Sequence, residues 1–370
     1  MRKLLFSLSG LCLAAPLWAA PASVVERLTA YFADWYAAVP GTHVAVSPAR
    51  DVTVAGFSAF RVERVAEAGG TARVREESSV TLYDSVKDQV FLGEVLHDAS
   101  RAAARHPFDA GSDLPVIRAS LQEAFGVAVR IDGPAPGTGP LLPMTLFLRQ
   151  DQDAFAARPG FISADGATLL LGEFRPVGEG AARWRRALLS DRPGIRPDRG
   201  SFYVAEFLDF QCERCRLRAP EVRLAVARSG GALDVHFLPL VQAHDWAFAA
   251  AESAAGLAAA DPALYARYQE MIFERPQGMT AASARQLAAD VAEGAGAVES
   301  FRAEVVSHRA RDRVLHDIEL ALRLGIHGTP AFVLDGRLVP GERGLLENAV
   351  FLARGGPSAK RAPSPAPDIR

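Results

Sequence analysis

The chain has 370 residues, 49% hydrophobic and 23% charged, enough apolar material for more than one core when domains commonly hold roughly 100–200 residues. Its formal net charge of -2 supplies no basic excess, so nothing in the charge balance points to a nucleic acid or an acidic membrane as partner.

The first residues, "MRKLLFSLSGLCLAAPLWAAPAS", place Arg2 and Lys3 before an apolar run from Leu4 to Trp18 and then Ala20-Pro21-Ala22. Basic start, apolar stretch and small-residue cleavage site are the order of a secretory signal peptide, here residues 1–22. The run is short for a membrane span, which takes about 20 apolar residues. Cys12 follows Leu11 rather than a small residue, which argues against lipid attachment. The mature chain is therefore expected to be exported and soluble, starting near Ser23.

Residues 23–188 read as an α+β domain. "PASVVERLTAYFADWYAAVPG" begins with an amphipathic helix, and "AGFSAFRVERV", "ARVREESSVTLYD" and "VFLGEVLHD" read as strands joined by turns. A second round follows: "LPVIRASLQEAFGVAVRIDG" as helix and strand, then "PMTLFLRQ" and "PGFISADGATLLLGEFRPV". The endings "VFLGEV" and "LLLGEF" match in pattern, which makes a duplicated α+β unit an expectation. Residues 189–200, rich in Arg, Pro, Gly and Asp, read as a linker. Residues 356–370, a Pro/Ala/Ser tail, have nothing to bury.

In the C-terminal half "SFYVAEFLDF", from Ser201 to Phe210, is a nearly continuous apolar run, as expected for a strand buried on both faces. From Cys212, "CERCRLRAPEVRLAVARSGG" reads as a helix stopped at Gly230-Gly231. Beyond the leader, Cys212 and Cys215 are the whole cysteine complement. Their short loop would give little entropic stapling. Zinc would take roughly four ligands, and His236, His244, His308 and His316 show no paired spacing, so no metal site is expected. At a strand-to-helix junction, orphan N–H groups and the helix dipole favour a thiolate at the first turn, and Cys212 is the better placed.

Together these features resemble the thioredoxin fold, and specifically the DsbA/DsbC/DsbG group of exported thiol-disulfide oxidoreductases. Pro220 follows Cys212 like the helix-kinking proline of thioredoxins. Gly328-Thr329-Pro330, the apolar strand Ala331 to Leu334 and the turn Asp335-Gly336 are similar to the cis-proline loop and its hairpin. "HFLPLVQAHDWAFAAAESAAGLAAADPALYARYQEMIFE" resembles the helical insertion of DsbA-like proteins. The similarity covers roughly Gly200 to Gly355, giving an α/β thioredoxin-like domain with helical insertion over 201–355.

The resemblance implies roles for individual residues. Cys212 would attack a client disulfide and Cys215 would resolve the mixed disulfide, the pair serving as the redox cofactor with no other required. Pro330 would be cis and face the cysteines, with Thr329 offering backbone groups to an extended substrate. Glu206, six residues before Cys212, would accept the Cys215 proton, its pKa raised by burial. His244 resembles a helix-start residue with a capping or core role. Between the cysteines, Arg214 should favour the Cys212 thiolate and Glu213 oppose it, so the direction of redox chemistry stays open between oxidase and isomerase or reductase. The expected partners are cysteine-containing exported proteins, with a membrane redox partner and a homodimer both allowed. Isomerase-type relatives carry an N-terminal binding and dimerising domain, which by analogy gives residues 23–188 that role. A non-enzymatic chaperone or adaptor is the reading from a different class.

Overall fold

Ser23 opens the first helix, α1 (Val24–Ala33), with a reciprocal cap: its side chain accepts from the Glu26 N–H while the Glu26 side chain accepts from the Ser23 N–H. That satisfies two of the donors a helix start leaves orphaned. Leu28, Tyr31 and Phe32 then bury one stripe of α1. The structure is a computed structural model that describes residues 23–36, 42–68, 72–98, 107–135, 139–191, 203–228, 230–275 and 277–339. The expected leader 1–22, residues 192–200 of the expected linker and the expected tail 356–370 lie outside the described residues.

Among the described residues eight strands form the N-terminal sheet: β1 (Thr42–Pro48), β2 (Ser58–Ala68), β3 (Ala72–Asp84), β4 (Gln89–His97), β5 (Val129–Asp132), β6 (Leu141–Arg149), β7 (Phe155–Ser163) and β8 (Thr168–Pro176). The helix α2 (Ala110–Phe125) separates β4 from β5. Their spatial order is β1-β2-β3-β4-β8-β7-β6-β5, so two four-stranded meanders meet along β4 and β8. Gly93 faces Gly172 in that antiparallel pairing. The backbones come so close that a Cβ on Gly93 would lie 2.1 Å from the Leu171 carbonyl oxygen, and one on Gly172 2.0 Å from that of Leu92. With φ of 149° and 152°, both positions require glycine.

Two elements of the N-terminal region escaped the sequence reading. The strand β1, "THVAVSP", buries only Val46, too weak an alternation to register. The helix α3 (Ala181–Asp191) hides behind its arginines, yet it buries Trp184, Arg185, Leu188 and Leu189. This corrects the expected boundary at 188: the helix and the core run on to Asp191, and Leu189 is fully buried.

The C-terminal region runs β9 (Tyr203–Leu208), α4 (Glu213–Arg228), β10 (Ala232–Phe237), α5 (Ala247–Ala260), α6 (Pro262–Glu274), α7 (Ala281–Gly294), α8 (Val298–Val306), α9 (Arg309–Leu324), β11 (Ala331–Leu334) and β12 (Arg337–Val339). Its sheet has the order β10-β9-β11-β12, with β9 parallel to β10 and antiparallel to β11. The strand β10 is buried along its whole length, and α5, mostly alanine, is buried over eleven consecutive positions from Ala247 to Leu257. This is a thioredoxin-like fold with α5–α8 inserted between β10 and α9.

The two regions share one apolar core, which joins Leu28, Phe32, Trp184 and Leu189 to Phe207, Val314 and Leu324. Arg185, fully buried, crosses the junction by donating to the Trp35 carbonyl at 2.6 Å and the Leu324 carbonyl at 3.2 Å. Its guanidinium also lies 3.3 Å from the centre of the Trp35 ring, a cation–π contact. Asp34 pairs with Arg337, and Arg323 meets Glu173 at 3.0 Å.

Candidate active site

Three elements converge on the cysteines. The strand β9 ends at Leu208, the chain turns through Asp209 to Gln211, and α4 starts at Glu213, one residue later than the sequence implied. Cys212 therefore sits at the cap position, where its carbonyl accepts from the Arg216 N–H at 3.1 Å. The Cys215 N–H and the positive end of the helix dipole favour a negative charge on its sulfur. Cys215, one turn further, faces the core and is 1% exposed, against 8% for Cys212. Both are free thiols.

The third element is the loop before β11. The Thr329–Pro330 peptide is cis, and the Cys212 thiol donates to the Thr329 carbonyl at 3.5 Å. The thiolate instead accepts a hydrogen bond from the Cys215 thiol, and this contact, helped by Thr329 and the Cys215 N–H, lowers the Cys212 pKa to about 5 against burial and the opposing Asp209 charge. Burial, followed by its contact with Cys212, pushes the Cys215 thiol far above the ordinary cysteine range. One thiol is thus ionised at neutral pH while its neighbour keeps its proton.

Glu206 lies in the middle of β9, between Val235 of β10 and Phe332 of β11, and is 1% exposed. Burial raises its pKa to about 7, with Arg223 pulling the other way. Its Oε1 has no hydrogen-bond partner among the described residues, and it lines a cavity of about 240 Å³ shared with Ala219, Arg223 and Tyr265. Glu213 and Arg214 are both exposed, and Glu213 pairs with Arg216 at 3.5 Å.

The sequence reading passed over Asp209. This carboxylate, 1% exposed, accepts from the Gln211 N–H and the Leu240 N–H, each at 2.7 Å, and its Oδ2 lies 2.7 Å from His244 Nδ1. It ties the strand end to the β10–α5 connection and fixes the turn that presents Cys212. An acidic residue three positions before the first cysteine was the available signal. His236, weighed as a metal ligand, is instead fully buried, with Nδ1 2.8 Å from Asp317.

Residues 203–347 match the family model of the DSBA-like thioredoxin domain. Among solved structures, a thioredoxin-like oxidoreductase from Silicibacter pomeroyi DSS-3 is 26% identical, with TM-score 0.37 over 46% of this chain and 99% of that one. The MdbA protein of Corynebacterium diphtheriae, a thiol-disulfide oxidoreductase, is 17% identical, with TM-score 0.36 over 45% of this chain and 91% of that one. Among curated proteins, the Na(+)/H(+) antiporter NhaA 3 of Salinispora tropica is 28% identical over 153 residues, 40% of this chain. The chain spans about a fifth of that protein, 22% of its length. No helix among the described residues is long and apolar enough to cross a membrane. The C-terminal region of this chain, residues 203–347, is thus similar to the DSBA-like thioredoxin domain.

Proposed function

We propose that the protein is an exported thiol-disulfide oxidoreductase acting on cysteine-containing proteins through Cys212 and Cys215. The observation that carries this reading is the pairing of an acidic thiol at a helix start, pKa about 5, with a buried neighbour that stays protonated. In the reducing direction the Cys212 thiolate attacks one sulfur of a client disulfide, the client S–S bond breaks, and one client thiolate leaves and takes a proton from solvent. The mixed disulfide is then attacked by Cys215, whose proton passes to Glu206 as a second client thiolate leaves. The chain is left with a Cys212–Cys215 disulfide, two electrons poorer, and the client is reduced. The same steps in reverse donate the disulfide.

Donation is the favoured direction. A stabilised Cys212 thiolate lowers the free energy of the reduced enzyme, and a thiol of low pKa is also the better leaving group from a mixed disulfide. The proposed site set is Cys212 and Cys215 for exchange, Glu206 for the proton, and Thr329 with Pro330 for the incoming chain. Residues 23–188 serve as a substrate-binding or dimerising platform read as a duplicated α+β unit, a reading supported by the mirrored strand order about β4 and β8.

Equilibrating the purified protein with glutathione redox buffers and quantifying the Cys212–Cys215 disulfide tests the direction. A pair more oxidising than glutathione, together with oxidation of a reduced client, is expected. A pair more reducing than glutathione would assign it to reduction, and full client activity in a Cys212→Ala/Cys215→Ala variant would favour the chaperone reading.

A further inference from the structure

The ladder between β3 and β4 holds only two described pairs, Tyr83↔Val90 and Asp84↔Gln89, although both strands continue well past them. Beyond Tyr83 the strands part. There the hydroxyl of Thr81 donates to the Phe91 carbonyl. A cleft of about 430 Å³ opens between Ser78–Thr81 on one side and Phe91–Leu96 on the other, the very residues that a continued ladder would pair. The far edge of β3 is taken by β2, and that of β4 by β8. Two strand edges inside one sheet thus wall the cleft on either side, and Phe32, Trp35 and Tyr36 also line it.

The other half of the sheet shows what such a gap accepts. There β7 and β8 pair over Gly160↔Leu171, Phe161↔Leu170 and Ile162↔Leu169, and then part in the same way. In that gap the Ala157 N–H donates to the Glu319 carboxylate of α9 at 3.2 Å, and the Arg158 guanidinium donates to the Leu171 carbonyl at 3.1 Å. Superposing the halves on Gly93 and Gly172 makes Tyr83 the counterpart of Ile162. Ser78 and Ser79 then stand where Ala157 and Arg158 stand, and Leu92 where Leu171 stands. Both serines are exposed. One gap is plugged by side chains, and the other has short hydroxyls in their place.

We infer that the cleft between β3 and β4 is a binding slot for an extended segment of the client polypeptide, held by main-chain hydrogen bonds to the parted strand edges. Backbone recognition of this kind is indifferent to sequence and adds a strand to an existing sheet, which suits a protein acting on many clients. The slot reaches the loop that meets Cys212. His327 lies on its wall, and Thr329, whose carbonyl meets Cys212, is two residues on, at most about 7 Å of chain. Glu94, also on the wall, lies 3.4 Å from His327 and 3.3 Å from Arg158, so it ties the loop to the centre of the sheet. The slot deepens the function proposed above by naming where the client chain lies.

The test uses the full chain with Cys212→Ala/Cys215→Ala, which separates binding from exchange, and two synthetic peptides of alternating valine and threonine with lysine ends. One peptide is unmodified, and the other is N-methylated at every second residue. The unmodified peptide should bind, and the methylated one should bind roughly tenfold more weakly or worse, since it loses several main-chain hydrogen bonds. Adding Ser79→Arg supplies the guanidinium that plugs the other gap. It should weaken peptide binding by a similar factor while Ser79→Ala does not, and Ser79→Arg in the wild-type cysteine background should exchange with glutathione at the parent rate. Absent binding, equal affinity for the two peptides, or parental affinity in a folded Ser79→Arg variant overturns the slot. If Ser79→Arg does not fold, the peptide pair alone decides. Failure of the wild-type protein to exchange with glutathione would sink the redox reading and leave the peptide comparison standing.

Discussion

Acidifying the reduced protein should extinguish the reactivity of Cys212 through a midpoint near pH 5. An ordinary cysteine, with a pKa of 9.0, stays protonated at neutral pH, whereas Cys212 has a pKa of about 5. At pH 7 ionisation therefore favours the reduced form by about 3 kcal/mol, each tenfold step being worth about 1.36 kcal/mol. For a two-electron couple this raises the reduction potential by roughly 60 mV. The sign follows from the lowered pKa: the reduced protein gains stability as pH rises from about 5 to about 9, keeps the full gain above that, and loses it as pH falls through 5. Iodoacetamide alkylation followed by mass spectrometry across this range reads both the midpoint and the order of labelling. Cys212 should be labelled first, and Cys215→Ala, which removes the leading hydrogen-bond donor, should move the midpoint upward. A wild-type midpoint near that of a free thiol, or first labelling at Cys215, would refute the reasoning.

Three further perturbations test the fold and the proton path. Burial raises the Glu206 pKa to about 7 from 4.5, so its charged form costs stability that is felt as pH rises above 4.5 and is complete above 7. Glu206→Gln should then stabilise the protein at pH 8 by up to about 3 kcal/mol while slowing resolution of a mixed disulfide at Cys212, measured by denaturant melts and stopped-flow quench; resolution at the parent rate would remove Glu206 from the proton path. Arg185→Ala should cost about 3 kcal/mol, because it leaves the Trp35 and Leu324 carbonyls without their charged donor, and it should lower the melting of both regions together rather than of one. Gly93→Ala should destabilise by at least about 2 kcal/mol, since its Cβ would meet the Leu171 carbonyl; an unchanged melting temperature would contradict the tight β4–β8 pairing.

The sequence by itself determined the cysteine pair proposed for exchange and the frame around it. Cys212 and Cys215 at a strand-to-helix junction, with Gly328-Thr329-Pro330 downstream, are local patterns whose chemistry depends on a few neighbouring backbone groups, so they are legible along the chain. The strands ending in "VFLGEV" and "LLLGEF" were legible for the same reason, because alternation is a local property. Only the tertiary structure decided that these two segments lie side by side with Gly93 opposite Gly172. It also decided that "AARWRRALLSD" is a core helix rather than the approach to a linker. Arg185 reads as a surface residue until Trp35 and Leu324, about 140–150 positions away, bring carbonyls to it. Asp209 likewise gains its role from Leu240 and His244, and the cleft beside His327 exists because two strands part where their pattern alone would have kept them paired. Hydrogen bonds and burial between distant segments are set by how the chain closes on itself, and no window of sequence contains that closure.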